Sequence, residues 1–425
     1  MKIQAPKGTF DILPYGTEAP WLLSALWQHV EKVARDVATQ YGYQEIRTPL
    51  YESTELFNRG VGETSDIVTK EMFTFQDKGG RSISLRPEGT ASVMRSVIEN
   101  HLFDRGPVHK FFYIGPMFRY ERPQSGRYRQ HHQFGTEAIG IAAPQQDVET
   151  IDLLLEFYRR IGLKSLKVLI NTVGDAASRA SFRAALLQFL TPHLEELSSD
   201  SKLRFEKNPL RILDSKDPKD KEIIASAPSI LDHLSPEAKE HFSSVCHSLD
   251  TLQIPYEVDP RIVRGLDYYN KTVFEIVSTD LGSQGTVGAG GRYDGLLKTF
   301  GGPDLPSIGF GTGLERVLQV LTAQTKTLPQ HTPPLLYFIP LGEEARTECL
   351  RQATACRHAE IAVDIELSTQ KLQTALQNAT KTNARFAAIL GSDELAKQEV
   401  QLKELISRKT ETIPLNQLLS FLKTK

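Results

Sequence analysis

Residues 111–140 read FFYIGPMFRYERPQSGRYRQHHQFGTEAIG and place Arg119, Arg122, Arg127 and Arg129 within eleven residues, on two runs joined by a turn at Pro123 and Gly126. Aromatic and aliphatic residues dominate before the turn. After it, Gln133, Gly135 and Glu137 alternate with Phe134 and Ala138. Period-two spacing on both sides of a Pro/Gly loop predicts an antiparallel hairpin. On its second strand Gln133 and Glu137 share one face, roughly 13 Å apart, and Gly135 between them leaves room for a ligand. Guanidinium groups beside a carboxylate suit a substrate with both an anionic and a cationic part. An edge hairpin with a solvated basic loop would show the same charge pattern.

The 425 residues allow roughly two to four domains. Charged residues make up 24 % and hydrophobic ones 40 %, ordinary for a soluble globular chain. A formal net charge of −2 means that any contact with a polyanion must come from local patches. Cys246, Cys349 and Cys356 have no CxxC spacing and form no disulfide framework, which fits a reducing compartment. The opening MKIQAPKGTFDILP lacks an apolar leader core, and no run approaches the ~18 apolar residues of a membrane span. A soluble, cytoplasmic protein is expected. The two Asn-X-Thr triplets at Asn270 and Asn378 are then accidental.

Outward from the hairpin, Leu22, Leu26, Val30, Val33 and Val37 recur at helical spacing over about 18–41. Residues 44–51 are extended, and Pro49 puts them at a sheet edge or an interface. A second hairpin spans 73–86. It runs into Pro87-Glu88-Gly89-Thr90, with Thr90 as N-cap of a helix marked by Val93, Met94, Val97 and Ile98. A further helix covers about 147–161. Two-strand units broken by long helices predict an α+β domain, an antiparallel sheet with helices on one side. Residues 175–252 are charged, Ser- and Pro-punctuated and helical, an insertion into that domain. Strands resume at 256–258, 271–277 and 285–289, and a helix from Leu314 closes the domain, expected to span 1–325. A linker at 326–334 leads to 335–425, where strands alternate with helices as in a small, largely parallel α/β domain.

The common nucleotide motifs are missing. No GxxxxGK[ST] occurs, and GFGTG at 309–313 is followed by Leu314 where the dinucleotide fingerprint needs glycine. No metal-ligand spacing and no GxSxG elbow is found. What remains is a set of Gly/Arg stretches. LRPEGT (85–90) can bind an ammonium group or simply cap a helix. RGLDYY (264–269) can present a cation and phenols to one pocket, or form a turn with core tyrosines. GAGGRYDG (288–295) permits close approach of a flat ligand, or marks a bulge. In SIGFGTGLER (307–316), Arg316 in a first helical turn opposes the helix dipole by about 0.3–1 kcal/mol, which a bound polyphosphate would reverse.

These residues resemble a known family. Phe118-Arg119-Tyr120-Glu121 with its Arg-rich loop resembles motif 2 of the class II aminoacyl-tRNA synthetases, 309–316 resembles motif 3, and 43–51 around Pro49 resembles the motif 1 dimer strand. LRPEGT, RGLDYY and GAGGRYDGL resemble the histidyl-tRNA synthetases in particular, over nearly the whole chain. The resemblance implies activation of histidine with ATP and transfer to the 3′ end of its tRNA. It implies a histidine site of Glu88, Gly89, Thr90, Arg119, Gln133, Glu137, Arg264, Tyr268 and Tyr269. ATP would meet Arg119, Glu121, His131 and Arg316, and the tRNA acceptor end Arg122 and Gln124. Arg264 and Arg119 would be the catalytic groups, facing the α-phosphate as charge builds there. ATP would come with Mg²⁺ and without a protein-held metal, and the enzyme would be a homodimer with a C-terminal anticodon-binding domain.

Two features depart from the family pattern. His131 stands where a phenylalanine thought to stack on adenine is usual. Residues 333–425 carry 12 Lys+Arg against 11 Asp+Glu, so anticodon binding rests on resemblance and not on charge. The competing reading is the synthetase-like, non-catalytic regulatory subunit of ATP phosphoribosyltransferase. Those relatives typically lose the C-terminal domain and degrade RGLDYY, and both are present here.

Overall fold

The runs flanking the arginine loop pair antiparallel as His109–Phe118 and Gln130–Ile139, ten residues each. The computed structural model describes residues 3–425 except 63, 64, 66, 121–127, 216, 263–265, 267, 281–284, 326 and 369. From Gln130–Ile139 the sheet continues antiparallel through Ser307–Gly313, Thr286–Arg292, Asn270–Ser278 and Leu166–Thr172. Its edge strands are parallel: Gln44–Glu45 lies beside His109–Phe118, and Tyr256–Val258 beside Leu166–Thr172. The six central strands are antiparallel, as the hairpin pattern predicts, and the edges make the eight-stranded sheet mixed. Each edge strand is separated from its neighbour by a long excursion of chain, which is what a parallel pairing requires.

Alternating residues separate the two faces of this sheet. Phe134, Phe274, Ile308 and Phe310 face one way, in a core shared with helices Ser24–Gln40, Gln145–Ile161, Pro236–Thr251 and Leu314–Gln324. Tyr113, Met117, Ile139 and Tyr293 face the other way and pack with Val93, Met94 and Val97 of helix Thr90–Glu99. Helices are thus not confined to one side, a correction to the sequence reading. The first helix also starts later than its apolar spacing suggests, because Pro20 opens a separate turn, Pro20–Leu22.

The extended stretch at 44–51 divides. Gln44–Glu45 joins the main sheet, while Tyr51–Ser53 pairs with Ser82–Leu85 in a three-stranded sheet completed by Thr74–Gln76. Pro49 stands at the break, and Arg86 holds it from below: its Nη1 donates to the Thr48 carbonyl and hydroxyl at 3.1 and 3.0 Å, its Nε to the Pro116 carbonyl at 3.0 Å.

The insertion has its own core of Phe182, Leu186, Leu190, Leu197, Ile212 and Ile230. Its most polar stretch folds around one carboxylate. Asp220 is buried and accepts from the Ser198 amide (2.9 Å) and from the hydroxyls of Ser198, Ser201 and Ser215 (2.7, 2.6 and 2.5 Å). Burial alone would raise its pKa, but the four donors outweigh it and hold the group down to about 2. Helix Pro236–Thr251 belongs to the main core through Phe242, Val245 and Leu249, so the independent core ends before it.

The chain separates into two compact units, Met1–Pro329 and Gln330–Lys425. In the second, Val363–Ile365, Leu336–Pro340 and Phe386–Leu390 are parallel and joined through helices Glu343–His358 and Leu372–Lys381. An antiparallel pair, Glu399–Glu404 with Thr410–Pro414, extends this sheet beside Phe386–Leu390. The sequence reading had no strands there. Alternating Val400 and Leu402, both buried, with Ile413 opposite Val400, carry the missed signal.

Candidate active site

The central strands bring their smallest residues into one row. Gly135 lies opposite Gly311, which lies opposite Ala289; in the next row Glu137 lies opposite Gly309, and Gly309 opposite Gly291. All point to the face away from the four-helix layer, so a trough runs between Gln133 and Glu137. A Cβ on Gly309 would collide with the Glu137 carboxylate, and one on Gly311 with the Gln133 amide. The glycines are needed there for close approach.

Glu88, Thr90, Arg119, His131, Gln133, Tyr268 and Tyr269 line one cavity of about 210 Å³ over this trough. Residues from four separate stretches of sequence therefore meet at a single site. Glu88 is buried and accepts the Thr90 and Ala91 amides at 2.6 and 3.0 Å. It thereby does the capping that the sequence reading gave to Thr90. Gly89 occupies the N-cap position and Thr90 is the first helical residue. Thr90 is freed to donate its hydroxyl to Glu137 Oε1 at 2.8 Å. Burial raises the pKa of Glu88, opposed by the helix amides and the Arg119 charge.

Glu137 lies buried under the cavity floor. Besides Thr90, the Tyr113 hydroxyl donates to its Oε1 at 3.3 Å and the Tyr293 hydroxyl to its Oε2. Burial drives its pKa up to about 8, the neighbouring Glu88 adds to that, and the three hydroxyls work against it. Burial also holds the Tyr113, Tyr268 and Tyr293 phenols well above their usual range, so all three remain hydrogen-bond donors.

Arg119 directly follows the first strand of the hairpin. Its Nε donates to the Pro87 carbonyl at 2.9 Å, which ties it to the Glu88 turn and leaves the outer end of the guanidinium at the cavity. His131 and His132 point to opposite faces. His132 receives no role in the cavity: its Nδ1 lies 2.9 Å from Glu315 and its ring packs edge-on against Trp27. His131 lines the cavity, and burial with the nearby Arg119 and His132 charges lowers its pKa to about 3. Its ring is neutral at physiological pH, flat, and able to stack. Arg316 does not line this cavity; its Nη1 donates to the Thr286 carbonyl at 2.8 Å. Glu121, Arg122, Gln124 and Arg264, all singled out from the sequence, lie outside the described residues.

Tyr113 and Tyr293 were missed by the sequence reading. The signal for Tyr113 is its register opposite Gly135, where an aromatic ring can cover a bare backbone. Tyr293 sits inside GGRYDG, where the glycines drew attention instead. Its neighbour Arg292 is structural: fully buried, it pairs with Asp147 and donates to the Ile141 carbonyl at 2.9 Å.

A sheet with an antiparallel centre thus carries an arginine-bearing hairpin, a glycine-rich strand leading into a helix, and two buried carboxylates beside one cavity, the arrangement that the class II resemblance leads one to expect. The family model described as histidyl-tRNA synthetase matches residues 23–317, and one described as an anticodon binding domain matches 336–425. A protein of Protochlamydia amoebophila (strain UWE25) named histidine–tRNA ligase is 54% identical over 423 residues, covering 100% of both chains. One of the same name from Geobacillus sp. (strain WCH70) is 48% identical over 429 residues, again covering 100% of both. Among solved structures, apo S. aureus histidyl-tRNA synthetase superposes with a TM-score of 0.83 at 37% identity, covering 99% of this chain and 100% of that one. The chain belongs to the histidyl-tRNA synthetase family.

Proposed function

We propose that the chain activates L-histidine with ATP and transfers the histidyl group to the 3′ end of its tRNA. The observation that carries this is the cavity itself, where Glu88, Gln133 and two tyrosines stand beside Arg119 and a second buried carboxylate, Glu137, is hydrogen-bonded to Thr90 of the lining. Histidine has a cationic amine, a ring with two nitrogens and a carboxylate that must be left free to react. Glu88, Thr90 and Gln133 suit the amine, Glu137 and Tyr268 the ring, and Arg119 the phosphate that the carboxylate attacks. In the first step a carboxylate oxygen bonds to the α-phosphorus and pyrophosphate leaves. In the second a ribose hydroxyl attacks the histidyl carbonyl and AMP leaves. Charge accumulates on the α-phosphate in the first step, and fixed cations stabilise it. His131 would lie against the adenine, Glu121 at its edge, and Arg316 toward the far end of the nucleotide.

Among the described residues no three His, Cys, Asp or Glu side chains cluster as a metal cage. Mg²⁺ is proposed to arrive on the ATP phosphates, as is usual for this ion. Arg122 and Gln124 are assigned to the tRNA acceptor end, and the unit Gln330–Lys425 to the anticodon. Among the described residues no helix is long and apolar enough to cross a membrane, and the proposed setting is the cytoplasm.

Histidine-dependent exchange of pyrophosphate into ATP tests the reading. Purified chain with ATP, Mg²⁺ and histidine is expected to exchange, and no other amino acid to substitute; an inert chain rejects the assignment. In the same assay Arg264→Ala should lose about 10³-fold, the size of effect carried by a phosphate-facing arginine. Exchange close to the unaltered level would remove Arg264 from its role. A homodimer is proposed from the 43–51 stretch and from Leu50, Tyr51 and Phe75, which are about half exposed around the three-stranded sheet. Sedimentation equilibrium should give about twice the 47.6 kDa chain mass, and a value near 47.6 kDa rejects it.

A further inference from the structure

We propose that Tyr113 and Tyr293 are positioning residues for substrate selection: their hydroxyls hold Glu137 as an acceptor, so that the pocket reads an imidazole N–H. The inference rests on the assignment of this cavity to histidine and deepens it.

Once ionised, the Glu137 carboxylate has no proton to give, so a phenol beside it can then only donate. Tyr113 and Thr90 donate to one oxygen of Glu137 and Tyr293 to the other, from three different elements. Neither tyrosine can turn away. The Tyr113 ring fills the space between Gly89 and Gly135, at both of which an added Cβ would strike it. Tyr293 follows Arg292, which is locked to Asp147, and its ring packs edge-on against Tyr268 and Tyr269. With three donors in place, both oxygens keep a fixed orientation, directly behind Thr90 and Tyr293, which line the cavity.

The other charged or titratable groups that act on Glu137 are Glu88 at the helix start, Tyr43 from behind the sheet and Tyr268 from its loop. Each of these opposes a negative charge or leaves it unassisted; the donors that favour it are the three hydroxyls. Near neutrality burial leaves a proton on Glu137 in the empty site. When a neutral imidazole binds, that O–H bond breaks, the proton passes to buffer, and the ring N–H donates to the carboxylate.

Steady-state exchange at pH 7 and pH 9 tests this with Tyr293→Phe and Tyr113→Phe, which keep the rings. Loss of one hydroxyl that raises Glu137 by about one pKa unit lowers its ionised fraction about ninefold at pH 7 and about twofold at pH 9. Histidine KM, taken as the ratio of variant to unaltered enzyme so that titration of the free amino acid cancels, should show those two factors. The KM for ATP should not follow. A histidine KM ratio that is equal at both pH values, or that stays at one, overturns the inference. If the unaltered chain shows no histidine-dependent exchange, the pocket assignment itself fails and takes this with it.

Discussion

Arg119→Ala is expected to lower histidine-dependent pyrophosphate exchange by about 10³-fold, within the range measured when a phosphate-facing arginine is removed. The structural grounds are its place and its anchoring. It directly follows the strand His109–Phe118, its backbone amide continues the hairpin by donating to the Arg129 carbonyl at 2.9 Å, and its Nε is fixed on the Pro87 carbonyl. The guanidinium therefore waits at the cavity without needing to reorganise as charge develops, which is where electrostatic catalysis is strongest. Arg119→Lys should recover little, because the three donors of an ammonium sit on one nitrogen and lack the planar fork that reaches the Pro87 carbonyl and the cavity from separate nitrogens. Single-turnover adenylate formation is the decisive measurement. A loss below about tenfold for the alanine variant would mean that the α-phosphate is stabilised elsewhere, contrary to the usual weight of such a group.

Arg292→Ala should destabilise the first unit by about 3–5 kcal/mol, the cost of leaving a buried ion without its partner. Arg292 and Asp147 are both fully buried and directly paired, and the guanidinium also serves the carbonyls of Ile141 and Ala143. His241 lies 3.9 Å from the same carboxylate, but burial lowers its pKa, so it is a poor replacement cation. Denaturant unfolding should show the loss, and Asp147→Asn on the Arg292→Ala background should return part of it, since the uncompensated charge is then gone. A loss under about 1 kcal/mol would place this pair among exchangeable contacts and not among buried ones. Because Tyr293 is the next residue, the variant should also weaken histidine binding in the fraction that remains folded.

Much of this was legible in order along the chain. Alternation through 111–140 showed the hairpin and put Gln133 and Glu137 on one face, because side-chain period in a strand is a local property. The apolar spacing of the helices and the GFGTG run before Leu314 were equally local. The C-terminal pair Glu399–Glu404 and Thr410–Pro414 was not seen, since short amphipathic strands separated by a charged turn leave only a weak signal. Thr90 as N-cap was wrong for a related reason. Serine and threonine are good caps on average, but a carboxylate two residues upstream took the amides first.

The family, and Glu88, Glu137, Arg119 and the glycines as candidate site residues, were legible in the sequence alone. Which of them touch was decided by the tertiary structure. Residues 90, 113, 137 and 293 have no common spacing, yet cross-strand register and one helix start bring their oxygen atoms around a single carboxylate. The protonation of Glu137 is likewise tertiary: it follows from burial, against which those hydroxyls work. A carboxyl group is raised to about 8 only when distant parts of the chain have excluded water from it, and no local pattern records that.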